Sequence, residues 1–172
     1  MYKPTMFVVT TTRCQPNRLH SSLQKLGFDK VISSSNMGYA GGIIVTWRKH
    51  RMNITLSSKE EQSTHLRIRI LTGEKWMFTF IYASPNVDMR SRLWDNLKNR
   101  ARNIRSPWFL DGYFNETAYA NENKFGVQAS HRKCMAFQNN IEECKFHDLG
   151  ASGPKFTWRG LVFHGGQRIY ER

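Results

Sequence analysis

The decapeptide PWFLDGYFNE (107–116) sets a carboxylate, a phenol and an amide at two-residue intervals: Asp111, Tyr113 and Asn115. If the segment is a strand, Asp111 and Tyr113 project from one face, roughly 6.5–7 Å apart along it. A carboxylate at the end of such a strand can hold a hard cation, which prefers anionic oxygen, or take a proton from water. A tyrosine, with a pKa near 10, is a poor base at neutral pH, and its ring fills far more space than a carboxylate. The polar Asn115 falls where a strand delivers a side chain to a cleft, or where a turn begins. Elsewhere such chemistry is sparse. Cys14, Cys134 and Cys144 have no metal-ligand spacing, and the last two, ten apart on an expected helix, face different directions. An odd number of cysteines without such spacing suits a reducing, intracellular setting.

The elements that must position these groups follow from periodicity. In 172 residues there is no run of 18 apolar side chains, so no membrane-spanning helix is expected, and MYKPTMFVVT lacks a signal-peptide pattern. One domain over 1–172 is expected, with a core and no linker or repeat. A short helix capped by Asn17 carries Leu19, Leu23 and Leu26 on one face and ends at Gly27. Residues 29–35 read as a strand and MGYAGG (37–42) as a turn. GIIVTWR, MNITLSS, STHLRIRI and KWMFTFIY then alternate in the manner of consecutive antiparallel strands, with Trp76, Phe78, Phe80 and Tyr82 on one face. Asp88 reads as the cap of a second helix to about Ile104, with Leu93, Leu97 and Ile104 as its buried stripe and Arg90, Arg92, Lys98 and Arg102 on its wet face. Trp108, Phe109 and Leu110 read as a buried strand, 117–130 as a long loop, and His131 to about Lys145 as a third helix. HDLGASGPKFTWRG reads as strand, turn, strand. The balance of 26 Lys and Arg against 13 Asp and Glu, formally +13, points to a polyanionic partner such as nucleic acid.

In order along the chain, GYAGGIIVTWR, IYASPN, RSRLWDNL, PWFLDGYFNE, FQNNIEECKFHDLGASGPKFTW and the final IYER resemble the endonuclease/exonuclease/phosphatase superfamily. The resemblance is closer to the endonuclease-like domain of plant non-LTR (LINE-type) retrotransposons. It implies an α+β fold, a four-layer helix–sheet–sheet–helix sandwich, and an ancestral activity that cleaves phosphodiester bonds, DNA included, with a divalent cation, usually magnesium. By position, Tyr82 of IYASPN matches the tyrosine that approaches the phosphate and Asn115 the asparagine that positions it. Thr157 and Trp158 of FTW match the strand that walls the cleft.

The departures from the pattern carry the functional expectation. Thr11 of VVTTTRC stands where the resemblance calls for the metal-binding glutamate, and Tyr113 where it calls for the aspartate that activates the nucleophile. A neutral hydroxyl is a weak ligand for magnesium. The Trp-Asn strand upstream and the Ser-Asp-His segment downstream are not in the sequence, so the domain reads as incomplete at both ends, and His164 is the least implausible substitute for the histidine. Three readings stand open: a degenerate, inactive nuclease-like domain that needs no cofactor; a non-catalytic basic module that binds nucleic acid; and an active magnesium-dependent nuclease that recruits Asp111. Residence in the nucleus or cytoplasm is expected, with no membrane partner.

Overall fold

Two β-sheets whose apolar faces meet organise the N-terminal half of the chain. The computed structural model describes residues 4–12, 16–33, 42–124, 130–150, 152–154, 156, 158–162 and 168–171. They divide into two units, Met1–Leu93 with Ile104–Phe114 and Trp94–Asn103 with Asn115–Arg172. In the first unit β1 (Met6–Thr12), β2 (Lys30–Ser33) and β3 (Gly42–Trp47) form an antiparallel sheet of order β1-β3-β2. A second sheet has the order β4-β5-β6-β7, from β4 (Met52–Lys59), β5 (Ser63–Ile70), β6 (Lys75–Tyr82) and β7 (Trp108–Tyr113). The first three of these pair antiparallel, and β7 joins β6 in parallel.

The inner faces share one buried cluster: Ile43, Val45 and Trp47 of β3 pack with Met52, Ile54, Leu66, Ile68, Phe78 and Phe80 of the second sheet. The alternation read from the sequence therefore finds the core-facing residues of each strand, but β3 does not continue into the β4–β6 sheet. The chain crosses from one sheet to the other between Trp47 and Met52, where the Arg51 and Met52 amides both donate to the Arg48 carbonyl (2.9 and 3.4 Å). The edge position of β7 corrects the reading of 108–110 as a buried strand. Trp108 and Leu110 are half-buried and Phe109 is exposed.

Two helices start in this unit. Helix α1 (Pro16–Lys25) has proline at its first position, where a missing N–H costs nothing, so Asn17 lies inside the helix and is not its cap. It closes with Gly27 at φ 84°, the Gly27 amide donating to Gln24 and the Phe28 amide to Leu23, which satisfies two orphan carbonyls. Leu23 is buried, whereas Leu26 has passed the last turn and is exposed. Helix α2 (Val87–Asn103) is capped by Asn86, whose Oδ1 accepts the Asp88 and Met89 amides (2.9 and 3.2 Å), so Asp88 belongs to the first turn.

In the second unit the later part of α2 and helix α3 (His131–Glu143) bury Trp94, Leu97, Cys134 and Phe137, with Trp94 and Phe137 edge to face at 5.7 Å. Lys98 and Glu143 form an ion pair at 2.9 Å. Strands β8 (Asn123–Lys124), β9 (Trp158–Val162) and β10 (Arg168–Glu171) make an antiparallel sheet of order β8-β10-β9. The loop expected over 117–130 thus contains β8 and a 3-10 turn at Ala120–Glu122. No strand forms at His147–Leu149, where Leu149 is exposed, and most of the MGYAGG turn lies outside the described residues. Among the described residues no helix is long and apolar enough to cross a membrane.

Candidate functional site

IYASPN gains its shape from residues far along the chain. The Tyr82 amide donates to the Gln62 carbonyl (2.9 Å), and the Ala83 amide to the Tyr113 carbonyl (2.8 Å). The buried Gln62 side chain bridges the turn, its Oε1 accepting the Ser84 amide and its Nε2 donating to the Met89 carbonyl (both 2.7 Å). One guanidinium nitrogen of Arg90 donates to the Ser84 and Pro85 carbonyls (2.9 and 2.7 Å). Arg90, expected on the wet face of α2, is therefore half-buried and fixes the turn that follows Tyr82. Gln62 and Asn86, which hold this turn and the helix start behind it, are not among the residues expected at the site. Asn86 was findable, because an asparagine immediately before a helical run is a cap signature. Nothing local marks Gln62.

Tyr82 and Tyr113 are register partners on β6 and β7, and their rings stack with centroids 6.0 Å apart at 26°. The same face carries a second stack four residues back, Phe78 on Phe109 at 5.2 Å and 12°. Tyr113 thus continues an aromatic ladder, half exposed, where the resemblance calls for a carboxylate. Between the two stacks, Asp111 lies opposite Phe80. Gly112 allows the ladder to close: its φ is 140°, and a Cβ there would sit 2.0 Å from the Ile81 carbonyl oxygen.

Asp111 is exposed, and its Oδ1 accepts the neighbouring Gly112 amide at 2.7 Å. It opens on a groove of about 690 Å³ between β7 and β1, with Phe7, Val8, Phe80 and Phe109 among the lining residues, so its surroundings are apolar. Thr11 lies on β1, inside the irregular stretch of pairing between Val9 and Thr12. Magnesium requires several oxygen ligands at about 2.0–2.1 Å, anionic ones foremost. Among the described residues no three His, Cys, Asp or Glu side chains gather where they could hold an ion. A neutral threonine, a stacked tyrosine and one carboxylate turned to its neighbour's amide do not fit the metal that the resemblance implies.

The remaining positions belong to the second unit. Asn115 is half-buried in the left-handed region at φ 52°, a conformation asparagine tolerates better than most residues. Glu116 accepts the Trp94 indole N–H at 2.8 Å, which gives this acid a structural partner. Trp158 begins β9, paired with Glu171 of β10. Thr157 and His164 lie outside the described residues.

The first unit also contains a buried polar chain that the sequence pattern concealed. Alternation in STHLRIRI groups His65 with the outward Arg67 and Arg69, yet His65 is 1% exposed. Its Nδ1 lies 2.7 Å from Thr79 Oγ1, which accepts the Trp108 indole N–H at 2.8 Å. Its Nε2 lies 3.0 Å from Ser63 Oγ and 3.5 Å from Glu60 Oε1. The chain braces β5, β6 and β7 and leaves Ser63 too buried to serve as a nucleophile.

No protein-family profile and no curated protein matches the chain. Solved structures do. The endonuclease domain of TRAS1, a telomere-specific non-LTR retrotransposon, aligns with 90% of this chain and 74% of its own at 14% identity and a TM-score of 0.64. A humanized D. rerio TDP2 aligns with 96% of this chain and 69% of its own at 12% identity and a TM-score of 0.50. The human Nocturnin catalytic domain aligns with 66% of this chain at 13% identity and a TM-score of 0.47, and the match spans 52% of that domain's length. At these identities the likeness speaks for the fold: this is the α+β sandwich of the endonuclease/exonuclease/phosphatase proteins.

Proposed function

We propose that the chain is one partial domain of this fold, descended from a non-LTR retrotransposon endonuclease of the plant type, that keeps the scaffold and has lost phosphodiester cleavage. The observation that carries this reading is the Tyr82–Tyr113 stack, which puts a ring where the ancestral chemistry needs a carboxylate. Thr11 is a second, independent loss at the metal-binding position. Catalytic groups that act as a unit fail together, so one essential loss already removes most of the rate. Purified protein incubated with supercoiled plasmid and magnesium should leave the plasmid intact. Tyr113→Asp alone should not restore cleavage, because Thr11 still supplies no charge. Robust magnesium-dependent nicking that disappears in Asn115→Ala would overturn the reading.

A second reading, a nucleic-acid-binding module without chemistry, is favoured by the +13 formal charge. It needs no intact metal site and is compatible with residence in the nucleus or cytoplasm. A filter-binding series over salt concentration tests it through a steep loss of affinity as salt rises.

A further inference from the structure

The outer face of the second sheet carries a row of cations at the end away from Tyr82. Arg67 and Arg69 alternate with the buried Leu66 and Ile68, and so point away from the core. Register places Arg69 between Asn53 of β4 and Lys75 of β6, and Arg67 beside Thr55. Arg51, in the turn before β4, is exposed at the same end, as are Asn53, Thr55, Arg67, Arg69 and Lys75. No acid occurs on β4, β5 or β6, and Glu74, in the β5–β6 turn, forms no ion pair with the row. Among the described residues Arg51, Arg67, Arg69 and Lys75 make no ion pair at all.

Same-strand neighbours stand roughly 6.5–7 Å apart and cross-strand partners about 5 Å. Both spacings are shorter than the Debye length of about 8 Å at physiological salt, so the cations act as one field. A like-charge pair such as Arg69 and Lys75, directly opposed across a ladder, is destabilising on its own. A bound polyanion relieves that repulsion. The strand positions of the row are all polar. Among the described residues, the one exposed large apolar side chain beside it is Leu71 in the β5–β6 turn, too little to anchor a lipid surface. Its Arg, Lys, Asn and Thr groups are those that contact phosphate oxygens without reading bases.

We infer that this face, from Arg51 to Lys75, is a sequence-independent contact surface for the phosphate backbone of nucleic acid, separate from the Tyr82 end of the fold. It gives the nucleic-acid-binding reading an address and does not depend on whether the chain cleaves.

The test is fluorescence anisotropy with a labelled 30-base-pair DNA duplex over a salt series. It compares the native chain, Arg67→Thr/Arg69→Thr, and Arg132→Ser/Lys133→Ser, which removes the same charge from exposed positions on α3. Each phosphate contact contributes about 0.9 to the slope of log affinity against log salt. The strand variant should lower that slope by about 2 and the affinity near 0.1 M salt by more than about tenfold. The α3 variant should leave both nearly unchanged. Equal losses in the two variants would overturn the inference while leaving nucleic-acid binding intact, and absence of binding by the native chain would overturn both. Should the strand variant fail to fold, acetylation footprinting of the native complex reads the same surface. Lys75 should be protected by DNA and Lys133 not, and the reverse pattern refutes the assignment.

Discussion

Replacing Gly112 by alanine tests whether the β6–β7 ladder holds Tyr113 in place. The native φ of 140° is one that L-residues rarely adopt, and such strain costs on the order of 1–3 kcal/mol. The new Cβ would also lie 2.0 Å from the Ile81 oxygen, 2.7 Å from its nitrogen and 2.8 Å from its carbonyl carbon. All three are backbone atoms and cannot rotate aside, so β7 must move away by about an ångström. One ladder hydrogen bond, worth roughly 0.5–1.5 kcal/mol, weakens with that movement. A total of about 1.5–4.5 kcal/mol would take a large share of a typical stability of about 5–15 kcal/mol. Gly73→Ala is the control, because Gly73 also has positive φ (93°) but a Cβ there meets nothing within 4 Å. Urea unfolding followed by circular dichroism should show Gly112→Ala less stable than Gly73→Ala by about 0.5–1.5 kcal/mol, the part of the cost that backbone strain does not share. Equal costs would mean that backbone strain alone matters and that β7 is not pinned by close approach to Ile81.

Thr79→Val should destabilise by about 2–4 kcal/mol in the same assay, because it strips the Trp108 indole N–H and His65 Nδ1 of their shared partner. A cost below about 1 kcal/mol would show that the buried chain does not brace the sheet. Burial pushes the Cys144 thiol up to about 11 from its ordinary 9.0, so the folded protein should resist iodoacetamide at Cys144 at pH 8. Because the folded thiol keeps its proton longer than the unfolded one, its contribution to stability is complete below about pH 9 and lost as pH rises to about 11. Cys144→Ala should flatten the stability profile in that window. An unchanged profile would show that Cys144 is not the group responsible.

Much of the scaffold is legible one strand at a time. The alternation in STHLRIRI and KWMFTFIY finds the core-facing residues of each strand but misses that Ser63, His65, Met77, Thr79 and Ile81 on the other face are buried as well. The stripe of Leu93 and Leu97 on α2 is buried as its spacing requires, while Ile104 lies past the end of the helix and is half-buried. Periodicity reports which face a side chain takes, because strand geometry alone sets that. It does not report what lies opposite. For that reason the crossing of the chain between sheets after Trp47, the burial of His65 and the support that Gln62 and Arg90 give to IYASPN were not readable.

The sequence by itself determined that Thr11 and Tyr113 offer a hydroxyl and a phenol and no carboxylate oxygen, since the functional group belongs to the side chain wherever it is placed. Only the tertiary structure decided what Tyr113 does instead. The parallel register of β7 on β6 gives it Tyr82 as a stacking partner, leaves Asp111 opposite Phe80, and requires Gly112 to let the two strands approach. Partner identity is a property of two strands together, and neither strand contains it alone.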